Sequence, residues 1–323
     1  MKIGIVGNGK IVPVAIEAMI QGNITISSLW CRNKEKGKPI VEKYHIPHQY
    51  DDYDQFLQDD SYDTVYIALV NTLHYAYAKQ ALLAHKHVIV EKPFTIHSKE
   101  AKELKELANQ NGCMLFEAII SRYSPNYERL KQVIHKVGNI KLIQANYSQY
   151  SSRYDAFKDG IVTPTFDPEY YGGALYDLNV YNVHFVVGLF GIPSNIHYFG
   201  NDAPNGVDTS GVLVLEYDGF KAVCTGAKDS SSPSFITIQG EDGTIRYPNR
   251  PGYIYQGSFT EQKSQDGVSI DVVDGSHPMM DEFLCIQDVI VNHDYECMNA
   301  WLTQSIEVIS VLETAYQLYS CAA

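Results

Sequence analysis

The opening dozen residues constrain this chain more than any other segment. Lys2–Gly7 reads as a short strand carrying Ile3, Ile5 and Val6, and it stops at Gly7-Asn8-Gly9. The stretch Ile11–Ile20 that follows has the apolar spacing of a helix. A strand, a glycine turn and a helix in that order open a βαβ unit. The first glycine permits the tight turn. The second lets a ligand approach the backbone at a helix N-terminus, where unpaired N–H groups favour an anion. This is the dinucleotide fingerprint without its third glycine, since Val12 or Pro13 stands there. We assign Gly7, Asn8, Gly9, Lys10 and Ile11 to a pyrophosphate cradle; a plain turn is the alternative.

The first third of the chain continues the alternation. Strands are expected at Ile24–Trp30, Thr64–Val70, Val88–Glu91 and Cys113–Glu117. Helices are expected at Lys34–Tyr44, Asp52–Gln58, His74–Ala84 and Ser98–Asn109. Near-continuous apolar runs such as Thr64–Val70 suit strands buried on both faces, so residues 1–120 predict a doubly wound parallel α/β sheet of the Rossmann type. Beyond residue 121 the pattern changes. A helix is expected over Asn126–Lys136, a strand over Lys141–Tyr150, a polar aromatic loop over 151–171 and a helix over Ala174–Leu189. Two hairpins then turn at Asp218-Gly219 and Asp242-Gly243, and a last helix covers Ala300–Tyr319. Residues 121–323 predict an α+β domain whose mostly antiparallel open sheet is covered by helices on one face. With 323 residues, 45% of them hydrophobic, two cores of ~150 residues each can be filled.

The net charge of −13 excludes a basic face for nucleic acid and gives no pull toward anionic lipid. No apolar stretch is long enough to span a bilayer, and the N-terminus does not read as a signal peptide. The six cysteines show no CxxC spacing and read as free thiols of a cytoplasmic protein. The eleven histidines form no HxxxH or HExxH pattern, so no metal site is expected. The end of the second strand bears on the cofactor. No acid stands between Gly22 and Lys34, where one would bond a ribose 2′-hydroxyl, and Arg32 sits where a 2′-phosphate would lie. The expected cofactor is NADP, with NAD second; a solvated arginine is the alternative reading.

Two segments carry candidate chemistry. Glu91-Lys92-Pro93 places a lysine directly after a buried strand, at the sheet edge where open α/β folds bind ligands. Gly172–His184 places Asp177, Tyr181 and His184 at i, i+4 and i+7, so a regular helix would show all three on one face. An acid, a phenol and an imidazole on one face suggest a polar pocket wall; an amphipathic helix with a wet stripe is the alternative.

Together these segments resemble the Gfo/Idh/MocA oxidoreductases, the family of glucose–fructose oxidoreductase and inositol dehydrogenase. The resemblance rests on the N-terminal glycine turn, Ala68–His74, the Glu-Lys-Pro lysine, Phe116-Glu117-Ala118 with Arg122, Tyr123 and Pro125, the Gly172–Asp177 helix start and Gly240–Ile245. It implies a catalytic lysine at Lys92 and an Asp with a His or Tyr four residues later, here Asp177 and Tyr181. Tyrosine at the second place is similar to the glucose–fructose oxidoreductase and dimeric dihydrodiol dehydrogenase branch, which is largely NADP-linked. Asn71, His74 and Glu91 fall on the family's cofactor side. Departures are Leu69-Val70 where Ser/Thr-Pro is usual, Tyr171 and Asn179 in place of glycines, and His184 in place of an Asp.

The resemblance implies hydride transfer between nicotinamide and a carbinol carbon of a sugar, polyol or dihydrodiol. Tyr181 is the expected general acid/base, Lys92 favours its phenolate and bonds the reacting oxygen, and Asp177 orients a neighbouring hydroxyl. Arg153, in a stretch rich in phenols and hydroxyls from Tyr147 to Tyr154, is a candidate substrate contact, and so are His184 and Tyr123; ordinary surface tyrosines at a strand edge are the alternative. Two other readings stay open: a non-catalytic NADP-binding sensor, and a glycoside hydrolase with tightly held NAD. The second face of the C-terminal sheet needs a cover, which with the resemblance implies a homodimer or homotetramer.

Overall fold

Alternation of strand and helix in the first third builds a six-stranded sheet. In this computed structural model, which describes residues 1–321, the strands are β1 (Lys2–Val6), β2 (Thr25–Trp30), β3 (His48–Tyr50), β4 (Thr64–Ile67), β5 (His87–Glu91) and β6 (Leu115–Ala118). All neighbours are parallel, in the order β3-β2-β1-β4-β5-β6. The intervening helices are α1 (Ile11–Gln21), α2 (Lys34–Tyr44), α3 (Tyr53–Leu57), α4 (His74–Leu83) and α5 (Ser98–Gln110). Every residue of β4 and β6 is buried, as expected of parallel strands covered on both sides.

Strand order reverses between β1 and β4, the switch point at which open α/β sheets hold ligands. Gly7 sits there with φ +118, and a Cβ on it would fall on the carbonyl oxygen of Ala68. Only glycine lets the two loops meet this closely. The strand expected to reach Val70 ends at Ile67, and Asn71–Leu73 forms a 3₁₀ turn leading into α4.

The second unit begins with α6 (Pro125–Val133), β7 (Ile140–Ser148) and α7 (Tyr154–Lys158). A five-residue π turn, Leu175–Asn179, leads into α8 (Val180–Phe190). Seven strands follow: β8 (Asn195–Asp202), β9 (Asp208–Tyr217), β10 (Phe220–Ala227), β11 (Phe235–Gly240), β12 (Gly243–Tyr247), β13 (Ser258–Glu261) and β14 (Val268–Ser269). The sheet runs β14-β13-β12-β11-β7-β10-β9-β8 and is antiparallel except where β7 pairs with β10. Burial alternates along β9: Leu213 and Leu215 are fully buried, whereas Val212 and Val214 are half-buried. One face of the sheet therefore belongs to the core and the other stays accessible.

The chain's last segment departs from the sequence reading. Helix α9 (Pro278–Val291) was not expected, and α10 (Tyr295–Ser320) starts five residues before the expected Ala300. By its contacts, Met279–Ile306 groups with Met1–Ala118 to form one unit; Ile119–Pro278 and the chain from Glu307 form the other. Phe283 packs edge-on against Tyr66, with ring centroids 5.5 Å apart, and Trp301 packs against Phe116 at 6.2 Å. Phe283, Ile286 and Met298 are fully buried, each contributing roughly 1.5–3 kcal/mol by removal from water. The returning helices thus cover part of the parallel sheet's core.

Candidate active site

At the start of the first unit, Asn8, Gly9 and Lys10 are exposed. A Cβ on Gly9 would meet nothing within 4 Å. Helix α1 has no side-chain N-cap and no acid in its first turn, so its terminal N–H groups remain available to an anion. Half-buried Ile11 opens the helix. Arg32 is exposed just past β2, and the next residue, Asn33, caps α2 by accepting from the Lys36 N–H at 3.2 Å. No carboxylate stands between Trp30 and Lys34. This set of residues fits a dinucleotide with an additional phosphate on the adenosine ribose.

At the carboxyl end of β5, half-buried Lys92 is framed by buried groups. Glu91 is buried, and its carboxylate accepts from the Tyr66 hydroxyl at 2.5 Å. Burial pushes the Glu91 carboxyl pKa up, against the pull of Tyr66 and Lys92. Glu117, nearly fully buried, accepts from the Phe94 N–H at 3.0 Å. His74 is fully buried, with Nδ1 2.8 Å from the Pro93 carbonyl oxygen and Nε2 3.2 Å from that of Leu69. Burial lowers its imidazole pKa. His74 and Glu91, expected on the cofactor side, also hold this edge together: His74 joins the loops after β4 and β5, and Glu91 meets Tyr66 of the neighbouring strand. Asn71 is half-exposed at the head of the turn into α4.

In the second unit, the Gly172-Gly173 turn precedes the π turn. Gly173 has φ +103, and a Cβ on it would collide with the Asp208 carboxylate. That carboxylate accepts from the Leu175 N–H at 2.8 Å and the Tyr198 hydroxyl at 2.5 Å. Burial pushes its pKa up to about 6, against those two donors and the Lys228 ammonium. The five residues Leu175–Asn179 then run in wider i→i+5 turns, which break the 3.6-residue period assumed for the helix. Asp177 and Tyr181 are half-exposed, but His184 is buried, with Nδ1 3.4 Å from Nη2 of Arg122. Tyr181 and His184 stand three residues apart in the regular helix α8, with His184 the deeper of the two. Tyr123 is buried, and half-buried Arg153 directs Nη1 to Thr165 Oγ1 at 3.4 Å.

Two cations that the sequence reading did not single out lie beside these groups. The Lys228 ammonium is 2.9 Å from Asp177 Oδ2. Arg250 donates from Nη1 to the Tyr147 hydroxyl at 2.8 Å and to Gln149 Oε1 at 3.2 Å, and stacks 4.1 Å from the Tyr253 ring centroid. Tyr147 meets the Tyr181 ring edge-on at 5.5 Å. A Cβ on Gly252 would lie 3.1 Å from Tyr181 Cδ1. A cavity of about 360 Å³ opens here, lined by Tyr147, Gln149, Asn249, Arg250, Tyr253 and Tyr255 among others. Its phenols, amides and guanidinium suit a polyhydroxylated ligand. Among the described residues, no group of three or more His, Cys, Asp or Glu side chains is placed to hold a metal, and no helix is long and apolar enough to cross a membrane.

Residues 1–119 match the oxidoreductase family with an NAD-binding Rossmann fold, and residues 127–246 match the GFO/IDH/MocA C-terminal domain. The chain is 40% identical over 220 residues to the NADP(+)-dependent scyllo-inositol 2-dehydrogenase of Bacillus subtilis, covering 68% of this chain and 67% of that protein. The chain belongs to the Gfo/Idh/MocA oxidoreductase family. A D-xylose 1-dehydrogenase (NADP(+)) from Haloferax volcanii is 28% identical over 249 residues, covering 76% of this chain and 75% of its own. Among solved structures, a 3-ketoreductase from Actinomadura kijaniata in complex with NADP and TDP-benzene superimposes with a TM-score of 0.84. It is 19% identical, covering 98% of this chain and 97% of its own; the likeness is one of fold.

The buried Asp208 generates a prediction within this family fold. The folded protein holds this proton more tightly than the unfolded chain does, because burial raises the pKa from 3.8 to about 6. Its contribution therefore favours folding at low pH and is lost as pH rises through about 6. Urea midpoints of wild type and Asp208→Asn should move in the variant's favour between pH 5 and pH 7. A pH-independent difference would contradict this.

Proposed function

We propose that this Gfo/Idh/MocA protein is an NADP-dependent dehydrogenase acting on a carbinol carbon of a sugar, polyol or dihydrodiol. The observation that carries the reading is the pairing of half-exposed Asp177 and Tyr181 at the start of α8, with Tyr181 beside a cavity of phenols, amides and a guanidinium. The relatives that oxidise scyllo-inositol and D-xylose support the substrate class. Residues 1–120 are assigned to the cofactor and 121–323 to the substrate and to oligomerisation.

Bound NADP supplies a hydride acceptor or donor at C4 of its nicotinamide. Gly7, Asn8, Gly9, Lys10 and Ile11 receive its pyrophosphate, and Arg32 the 2′-phosphate. Asn71 lies at the end of β4 on the same cofactor side; His74 and Glu91 brace the loops. Tyr181 takes the hydroxyl proton during oxidation and returns it during reduction, a role worth roughly 10²–10⁴-fold. Lys92 is assigned, as the family resemblance implies, to donating to the reacting oxygen and favouring the phenolate form of Tyr181. Asp177 accepts from a neighbouring substrate hydroxyl and so fixes the ring's orientation. Arg153 contacts the far end of the substrate. Tyr123 and His184, both buried, remain candidate substrate contacts.

A panel of scyllo-inositol, D-xylose and trans-dihydrobenzenediol with saturating NADP⁺ identifies the reacting alcohol. Lys92→Met and Tyr181→Phe should each lower kcat at least a hundredfold and leave NADPH binding within a few-fold. Near-normal turnover would remove that residue from the mechanism.

The cofactor preference has its own measurement. In a fluorescence titration, NADPH should bind at least tenfold more tightly than NADH, and Arg32→Ala should narrow the gap. Tighter NADH binding would overturn the NADP assignment.

We also infer a homodimer or homotetramer formed through the accessible face of the eight-stranded sheet, where Val212, Val214 and Val223 alternate with the buried set. Light scattering should give two or four times the 36.3 kDa chain mass; a monomer would contradict it. The free cysteines, three of them buried, are consistent with the cytoplasm as its location.

A further inference from the structure

Lys228 is 3% exposed, and a buried ammonium must find acceptors for its three N–H donors. It finds the Thr165 carbonyl at 2.5 Å, Asp177 Oδ2 at 2.9 Å and the Gly173 carbonyl at 3.5 Å. The Phe166 ring lies beneath it, its centroid 4.4 Å away. The residue's own N–H donates to Thr209 O at 2.8 Å, which fixes its backbone just past the end of β10. Two of the three acceptors are thus main-chain carbonyls, that of Gly173 and that of Thr165, which also accepts from the Gly173 N–H at 3.0 Å, and the third is a side chain on the π turn. The ammonium is held by backbone, and through it the Asp177 carboxylate is held as well.

Asp177 is 31% exposed, so a substrate hydroxyl can reach its carboxylate, and the orientation of that carboxylate decides which oxygen the hydroxyl meets. A fixed cation on Oδ2 favours the ionised, acceptor-only form and locks rotation of the group. Asp208, the other acid near this ammonium, is committed to Leu175 N–H and the Tyr198 hydroxyl. We propose that Lys228 is the positioning residue for Asp177: it keeps that carboxylate charged and oriented to accept a hydrogen bond from a substrate hydroxyl next to the reacting carbon. The inference rests on the reading of Asp177 as a substrate contact.

The test is a double-mutant cycle with the panel alcohol of highest kcat/KM. Asp177→Asn should raise KM for the alcohol at least tenfold. Lys228→Met should raise it by a similar factor, with kcat changed less and NADPH affinity unchanged. The double variant should be no worse than the poorer single one, because Lys228 acts only through Asp177. If Lys228→Met does not fold, Lys228→Gln carries the same comparison, since its amide still donates to the two carbonyls but carries no charge. A bracing role alone would lower the thermal midpoint and leave KM in place, and that result overturns the proposal. So does a KM effect that multiplies with that of Asp177→Asn. An unchanged KM in Asp177→Asn alone would instead sink the reading of Asp177, and the proposal with it.

Discussion

A parallel sheet covered on both faces leaves polar chemistry only one place to emerge, the ends of its strands. β4 and β6 are buried along their whole length, so the groups able to meet a ligand gather at the carboxyl edge: the Gly7 turn after β1, Arg32 after β2, Asn71 after β4 and Lys92 after β5. The buried polar residues around this edge brace it. His74 reaches the carbonyls of Leu69 and Pro93, Glu117 receives the Phe94 N–H, and Tyr66 bonds Glu91. Lys92 thus lies between anchored neighbours, the condition under which a catalytic group keeps its geometry without reorganising.

The second unit solves the same problem differently. Its antiparallel sheet has a covered face and an accessible one, and its polar groups enter at the start of a helix rather than at strand ends. The turn at Gly172-Gly173 lets the chain pass against Asp208, and the π turn begins at once after it. π turns are irregularities that a regular helix would relax away, and they persist where the surroundings hold them. Here Asp208 grips the Leu175 N–H from one side and Lys228 grips the Gly173 carbonyl and Asp177 from the other. Opposite charges buried close together offset part of each other's desolvation cost, so the turn and the ion pair support one another.

Much of this was legible in the sequence because it follows from local pattern. β1, β4 and β5 announce themselves as apolar runs, the hairpin at Asp218-Gly219 as a turn dipeptide, and the Lys92 loop as a strand end followed by proline. β3 was not legible: three residues, His48-Gln49-Tyr50, at a sheet edge carry no burial pattern. Spacing alone does not tell that His184 lies deeper than Asp177 and Tyr181, and no local signal marks the π turn at Leu175–Asn179. Lys228 and Arg250 were missed for a different reason. Lys228 meets Asp177 across 51 positions of chain and Arg250 meets Tyr147 across 103, and only the sheet's strand order brings them together. Helix α10 was legible apart from its start, but α9 and the return of both to the Rossmann sheet were not, because that partner lies nearly two hundred residues earlier.

The cations at these sites divide by burial, and the division follows the task. Lys10 and Arg32 are exposed, where water and salt weaken a charge–charge contact to about 1 kcal/mol or less. Exposed charges of this kind suit the reversible capture of an anion by a chain whose net charge of −13 would otherwise repel it. Lys228 is the opposite case. It is removed from water, committed to two backbone carbonyls and one carboxylate, and screened by nothing but protein. A charge held so firmly is poor at capturing a ligand and good at fixing the direction of a neighbouring group. Arg250 stands between the two, half-buried and stacked on Tyr253 yet lining an open cavity, so its planar guanidinium is already oriented before any substrate hydroxyl arrives.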